Sequence, residues 1–246
     1  LKPATSNNSN LGLIFQKNSL RLSLDIWEID YKDRIEVESA QAILSSDPNG
    51  SSITRNEFGD LIGVTTTYFN EDNTLVRGMD IQMQYLVELI KGSLSINLLG
   101  TNLSDFKTPS LTNSDLMINR VGKFNFDSHT FSLPKKRINS FISWNYNSYS
   151  LNLNSRYLDG YINERTITGL GLTYGYSNQV KSFFIHDISF GKNINTTRGN
   201  IDLRLYISNI FDKSAPRLYD APDFSFDTRL HDPRGRILGL NVEYNF

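Results

Sequence analysis

The sequence predicts an all-β fold, a transmembrane antiparallel up-and-down β-barrel, on three observations. Apolar and polar residues alternate with period two in run after run, the mark of strands with one apolar and one polar face. Short and long connections between the runs alternate without exception. Compact domains rarely carry several structureless loops longer than about 15 residues, whereas outer-membrane barrels have tight turns on one rim and long loops on the other. Aromatic residues gather at two levels along the runs, as amphipathic rings do at the two interfaces of a bilayer.

Nine strands are predicted, at 10–16, 20–35, 75–87, 92–103, 137–146, 149–159, 182–192, 200–209 and 236–246. In the second, the apolar phase runs through Leu20, Leu22, Leu24 and Ile26, then shifts to Trp27, Ile29 and Tyr31, which predicts a bulge near Ile26. The third alternates Met79, Ile81, Met83 and Tyr85 with Asp80, Gln82 and Gln84. The fourth sets Leu94, Ile96 and Leu98 against Ser93, Ser95 and Asn97. The fifth and sixth form a hairpin, with Leu151 and Leu153 opposing Asn152 and Asn154 in phase. The seventh carries His186 beside Asp187, and the eighth alternates Ile201, Leu203, Leu205 and Ile207 with polar residues. The ninth is the clearest: Leu238, Leu240, Val242, Tyr244 and Phe246 share one face. Its length suits the roughly 9–11 residues that a tilted strand needs to cross a bilayer. The connections are about 3, 39, 4, 33, 2, 22, 7 and 26 residues long, and with Phe246 in the periplasm every short one lies on the periplasmic rim. The lower aromatic level is then Phe15, Tyr85, Trp144, Tyr146, Tyr149, Phe190, Tyr244 and Phe246. The upper is Tyr31, Tyr157, Tyr161 and Phe211.

Composition narrows the classes. The chain has 246 residues, no Cys and a net charge of −1. Disulfide frameworks, thiolate metal sites and Cys nucleophiles are excluded, and no charge excess points to nucleic acid. A mean hydropathy of −0.36, with no apolar run near 18 residues, excludes membrane-spanning helices but not strands. The opening LKPATSNNSN has neither the basic nor the apolar region of a secretory signal.

No residue constellation points to catalysis, so the chain is not expected to be an enzyme. His129, His186 and His231 are far apart and in no metal-ligand spacing, and His186 reads as structural or as part of the lumen wall. Gly169-Leu170-Gly171 lies in a predicted loop without the strand-then-helix setting of a phosphate cradle. Glu71 and Asp72 read as a solvated turn, as do Asn209, Asp212 and the run Asp232-Pro233-Arg234-Gly235-Arg236. No cofactor or metal is implied. Ligand contact is expected from long loops with exposed rings and charges. The best is 210–235, with Arg217, Tyr219, Phe224, Phe226, Arg229 and His231; second is the loop with Tyr68 and Phe69.

Several motifs, in order, resemble the C-terminal part of a TonB-dependent receptor, an outer-membrane active transporter of Gram-negative bacteria. Leu1-Lys2-Pro3 with Asn10-Leu11-Gly12 resembles an LKPE…E.G segment, with Ala4 and Asn10 in place of its two Glu. Asp30 to Ile35, Asn70 with Arg77-Gly78-Met79-Asp80, and Pro134 with Asn139 are similar to its strand ends and hairpins. Asn209-Ile210-Phe211-Asp212-Lys213 resembles NLFDK, and Asp232 to Arg236 running to Phe246 resembles the closing pGR…F. The resemblance implies a bacterial outer-membrane location and a 22-stranded barrel around an N-terminal plug. Residues 1–246 would be its C-terminal portion, with the earlier strands, the plug and the TonB-contacting segment ahead of Leu1. It further implies uptake of a scarce nutrient, such as a ferric siderophore, cobalamin or a carbohydrate. Partners would be outer-membrane lipid, TonB through the missing N-terminal region, and the barrel assembly machinery, which would read Leu238, Leu240, Val242, Tyr244 and Phe246. A passive porin-type barrel and a soluble carbohydrate-binding β-sandwich are the competing readings.

Overall fold

The structure is a computed structural model and describes residues 1–110, 116–125, 131–221 and 224–246. Nine long strands form one antiparallel sheet in which each pairs with its neighbours in the chain. They are β1 (Thr5–Lys17), β2 (Leu20–Lys32), β3 (Thr74–Leu89), β4 (Gly92–Pro109), β5 (Lys136–Tyr146), β6 (Tyr149–Leu158), β7 (Phe183–Thr196), β8 (Gly199–Ser208) and β9 (Ile237–Asn245). A short strand, Met117–Asn119, adds to the top of β4. The sheet is open: among the described residues β1 pairs only with β2, and β9 only with β8.

One rim is made entirely of two-residue turns, at 18–19, 90–91, 147–148 and 197–198. The 3, 4 and 7 residues read from the sequence for three of them shrink because the ladders run further than the apolar pattern does. Asn18 and Asn147 take the left-handed conformation (φ 50° each), which a short amide side chain tolerates. Gly92 and Gly199 also have positive φ. A Cβ on either would stand 2.0 or 2.1 Å from the carbonyl oxygen of Asn145 or Asn245. Glycine is therefore required at both by space as well as by backbone.

The pairing register carries the outer and inner faces across the whole sheet. Leu94, Trp144, Leu151, Phe190, Leu205 and Leu240 are successive cross-strand partners in one row. One residue along, the opposite face reads Ser95, Ser143, Asn152, Ser189, Tyr206 and Gly239. Which face is inside follows from the long loops. Phe183 and Ile185 are buried beneath them at 5% and 7% exposure, whereas Phe184 between them is 43% exposed. The loops therefore close over the polar face. That is the reverse of a soluble sandwich, whose apolar faces meet in the core.

Two expectations are corrected here. Strand β2 stays in continuous register with both neighbours through Ile26 and Trp27, so there is no bulge at that point. The apolar phase shifts because Trp27 turns to the inner face, where its Nε1 donates to Asp80 (3.0 Å) over the space left by Gly78. The wall's bulge lies on β4 instead: Arg77 opposes Asp105 and Gly78 opposes Leu103, leaving Ser104 extra, its hydroxyl donating to the Arg77 carbonyl (3.1 Å). All of the lower aromatic level stands on the outer face, with Trp144 stacked on Tyr146 and Tyr149 tilted on Phe190. In the upper level, Tyr157 and Phe211 hold outer positions and Phe184 joins Tyr157. Tyr31 lies on the inner face and Tyr161 is buried under the loops.

Candidate functional site: the outer loop cluster

The second rim carries the connections 33–73, 110–135, 159–182 and 209–236. Three of them share a small core of their own. Phe124, Tyr161, Val180 and Leu218 are buried together, with Ala221 and Leu230 packed against them. Backbone bonds tie the first two of these loops: Phe124 N–H donates to the Ile162 carbonyl (2.9 Å), and Ile162 N–H to that of Gly122 (2.8 Å). Asn163, fully buried, donates to the Tyr219 carbonyl (2.8 Å) and so fastens the third. Arg165 pairs with Asp220 across the same seam.

Asp227 is the polar centre of this cluster. Its carboxylate accepts from the Ser132 hydroxyl (2.5 Å), the Tyr161 phenol (3.4 Å) and the Arg229 backbone N–H (3.0 Å). Burial and the adjacent carboxylate push the Tyr161 phenol up. His231 lies beside it, stacked parallel to Tyr161 and edge-on to Phe183 at 5.0 Å. Among the described residues both His231 ring nitrogens are buried without a hydrogen-bond partner, and burial lowers its pKa to about 4 against the pull of Asp227.

The loop 33–73 is anchored separately. It holds a helix, Ala40–Ser46, capped by the Ser39 hydroxyl, and strands Arg34–Val37 and Tyr68–Glu71 pair at its base. Arg34 joins Glu71 and Glu36 there at 2.5 Å each, and its Nε also donates to Thr74 (3.2 Å). Glu71, read from the sequence as solvated, is thus buried and ion-paired. Nearby, the Arg120 guanidinium donates to buried Thr108 (3.1 Å), and burial lowers its pKa.

The residues expected to touch a ligand fall in distinct places. Arg217 lies over the Tyr176 ring at 4.1 Å and donates to the Tyr174 carbonyl. Tyr219 packs edge-on to Tyr176, and its hydroxyl meets that of Thr168 (2.9 Å). Phe224 and Phe226 stack at 5.6 Å with Phe224 exposed, and Arg229 is exposed beside Asp227. His231 is in the cluster interior. Tyr68 and Phe69 are exposed on the other loop, Tyr68 at 66%. The cluster therefore brings together Arg217, Tyr219 and, through Asp227, Arg229 and His231, while Tyr68 and Phe69 stand apart. Of its organisers, Leu218, Asn163 and Asp227 are not singled out by the sequence, and Tyr161 is read there as a ring of the upper aromatic level. Leu218 had the one usable signal, an isolated aliphatic residue in a polar loop.

Turn chemistry holds where β8 ends. Asn209 and Asp212 both have positive φ, the Asn209 side chain clasps the backbone of Lys213 at both ends, and its own N–H donates to Asp187. The Arg234 guanidinium folds back onto Asp232, holding that carboxyl down at about 2. Gly169-Leu170-Gly171 opens the helix Gly169–Thr173, which is too short for an anion site. His129 lies outside the described residues. Among the described residues no cluster of metal-ligating side chains occurs.

A family model described as TonB dependent receptor-like, beta-barrel, matches residues 1–210. The chain belongs to this family. Membership places it in the bacterial outer membrane and accounts for the polar inner face and uneven rims. The sheet is similar to that of the ferric enterobactin receptor PfeA of Pseudomonas aeruginosa, solved as a variant, with a TM-score of 0.62 at 16% identity over 98% of this chain and 31% of that one. It is similar to the siderophore receptor PirA of Acinetobacter baumannii, with a TM-score of 0.60 at 19% identity over 100% and 32%. For the outer membrane transporter YddB of Escherichia coli the TM-score is 0.58 at 12% identity, over 98% and 32%. The chain thus spans about a third of the length of these solved receptors. No curated protein matches the sequence.

Proposed function

We propose that this chain is the C-terminal wall, with its outer loops, of a receptor that takes up a scarce small nutrient by TonB-driven transport. It is a transporter rather than an enzyme. The observation that carries the reading is the loop cluster: three loops share one core over the polar face, as a structure that meets a ligand above a closed lumen needs. The two bare sheet edges support further strands ahead of Leu1. Unpaired backbone groups in lipid cost several kcal/mol each, so a wall of this kind is stable only when closed. A 22-stranded barrel with an internal plug satisfies that requirement. In this reading Leu238, Leu240, Val242, Tyr244 and Phe246 serve as the signal for barrel assembly.

Ligand contact belongs to Arg217, Tyr219, Phe224 and Arg229, with Tyr68 and Phe69 on loop 33–73 and His231 holding the cluster from within. Two structural neighbours are receptors for ferric enterobactin and for a siderophore, which makes a ferric siderophore the first ligand to try. The test is uptake of radiolabelled ferric siderophores by cells that carry the full gene, compared with cells lacking it or lacking TonB. Uptake lost in both strains supports active transport. Uptake that survives the loss of TonB identifies a passive pore and overturns the proposal.

A further inference from the structure

Between the Tyr149–Phe190 rings and the Tyr157–Phe184 rings, the outer face of β5 to β7 is apolar except for one row. Ser140 on β5, Ser155 on β6 and His186 on β7 are successive cross-strand partners. They stand in the lipid-facing phase, below Ile138, Tyr157 and Phe184 and above Ile142, Leu153 and Ile188. His186 is therefore not part of the lumen wall, as its neighbour Asp187 suggests: Asp187 points the other way, to Arg156 (3.0 Å) and the Asn209 N–H.

The row is a built arrangement of polar groups. Ser155 Oγ meets His186 Nδ1 at 2.8 Å. The His186 ring packs edge-on with Phe184 (4.2 Å) and Phe211 (5.5 Å). Among the described residues neither the Ser140 hydroxyl nor His186 Nε2 has a hydrogen-bond partner. In hydrocarbon such a group costs a few kcal/mol unless something bonds to it. The row sits two residues below the Tyr157–Phe184 ring level. At about 3.3 Å per residue and a tilt of about 45°, that is about 5 Å deeper. Below the headgroups of the outer leaflet, that depth is where acyl chains join their headgroup.

We propose that Ser140, Ser155 and His186 form a lipid-binding site for an outer-leaflet lipid bearing hydroxyl and amide groups where its acyl chains begin. Ser140 and His186 Nε2 each take one hydrogen bond from or to those groups, and the rings of Tyr157, Phe184 and Phe211 flank the chains. The ester linkages of a phospholipid present carbonyl acceptors only. They can accept from Ser140 but, in the tautomer where His186 Nδ1–H donates to Ser155 Oγ and Nε2 is the acceptor, they offer that nitrogen no donor, so the site discriminates between the two lipids. A hydrolytic Ser–His pair is the other use of such a contact, but the carboxylate that would orient the imidazole faces the opposite side of the sheet.

The test uses the full-length receptor in nanodiscs that contain both lipid A, whose acyl chains carry hydroxyls and amide links, and phosphatidylethanolamine. Bound lipid is read by native mass spectrometry. Wild type is expected to retain lipid A over phosphatidylethanolamine by about tenfold. Ser140→Ala should lower that preference about threefold, and Ser140→Ala/Ser155→Ala/His186→Phe should abolish it. His186→Gln, which keeps a hydrogen-bonding group at the position, should preserve most of it and guards against loss through misfolding. Equal retention of both lipids by wild type, or an undiminished preference in the triple variant, overturns the proposal.

Discussion

The two rims of the sheet are built on the same nine strands and held by opposite means. At the periplasmic rim each connection has two residues, and what turns the chain is local: an asparagine or glycine with positive φ, with a carbonyl of a neighbouring strand close against Gly92 and Gly199. At the outer rim little is local. The loops 110–135, 159–182 and 209–236 hold one another through Leu218, Tyr161, Asn163 and Asp227, residues tens of positions apart in sequence. The periplasmic rim can therefore form with its hairpins, whereas the outer rim forms only once the wall has brought the loops together. A rim fastened by a few shared contacts is also the one that can rearrange around a ligand.

The comparison can be broken most directly at Leu218, which is fully buried. Leu218→Ala should cost the loop cluster about 2–5 kcal/mol. Limited proteolysis should then cut all three loops faster, while heat-modifiable migration of the barrel stays as in wild type. If only loop 209–236 becomes sensitive, the loops do not share a core.

Acid should loosen the outer rim and spare the other. His231 has a folded pKa of about 4, below the ordinary value of 6.5. A histidine buried in its neutral form contributes stability in full above pH 6.5. That contribution falls by about 1.4 kcal/mol per pH unit between 6.5 and 4. Asp227 is the charged group that acts on it, and it softens the loss without reversing it. Hydrogen exchange of loop 209–236 should rise across that range, and in His231→Phe it should not. A pH-independent wild type contradicts the account.

The smallest effect belongs to the periplasmic rim. Asn147→Ala places a Cβ-bearing residue with no amide at φ 50°, at a cost of about 1 kcal/mol. Asn147→Gly should be neutral, and chemical denaturation of the refolded barrel separates the two.

How much of this was legible follows the same division. All nine strands could be read because a wall between lipid and water writes its register as period two. The ninth, from Leu238 to Tyr244, is the plainest. The bulge could not be placed, because the shift at Trp27 records a ring turning inward over Gly78, and the extra residue, Ser104, breaks no apolar run. His186 was read by its neighbour; counting its phase from Phe184 and Phe190 puts it on the outer face. In the loops, exposed rings such as Phe224 stood out, while Tyr161, Asn163 and Asp227 owe their roles to partners that no local pattern announces.

The central claim is that the apolar face meets lipid and the polar face, under the loops, is the lumen. Leu240 lies in the outer row beside Leu205, and Asn241 in the inner phase beside Arg204. In the full-length protein, Leu240→Arg should destabilise the folded barrel by about 2–4 kcal/mol at mid-depth, and Asn241→Arg by little. Urea unfolding in lipid vesicles measures both. Equal effects, or the larger loss at Asn241, would mean that the faces are assigned the wrong way round.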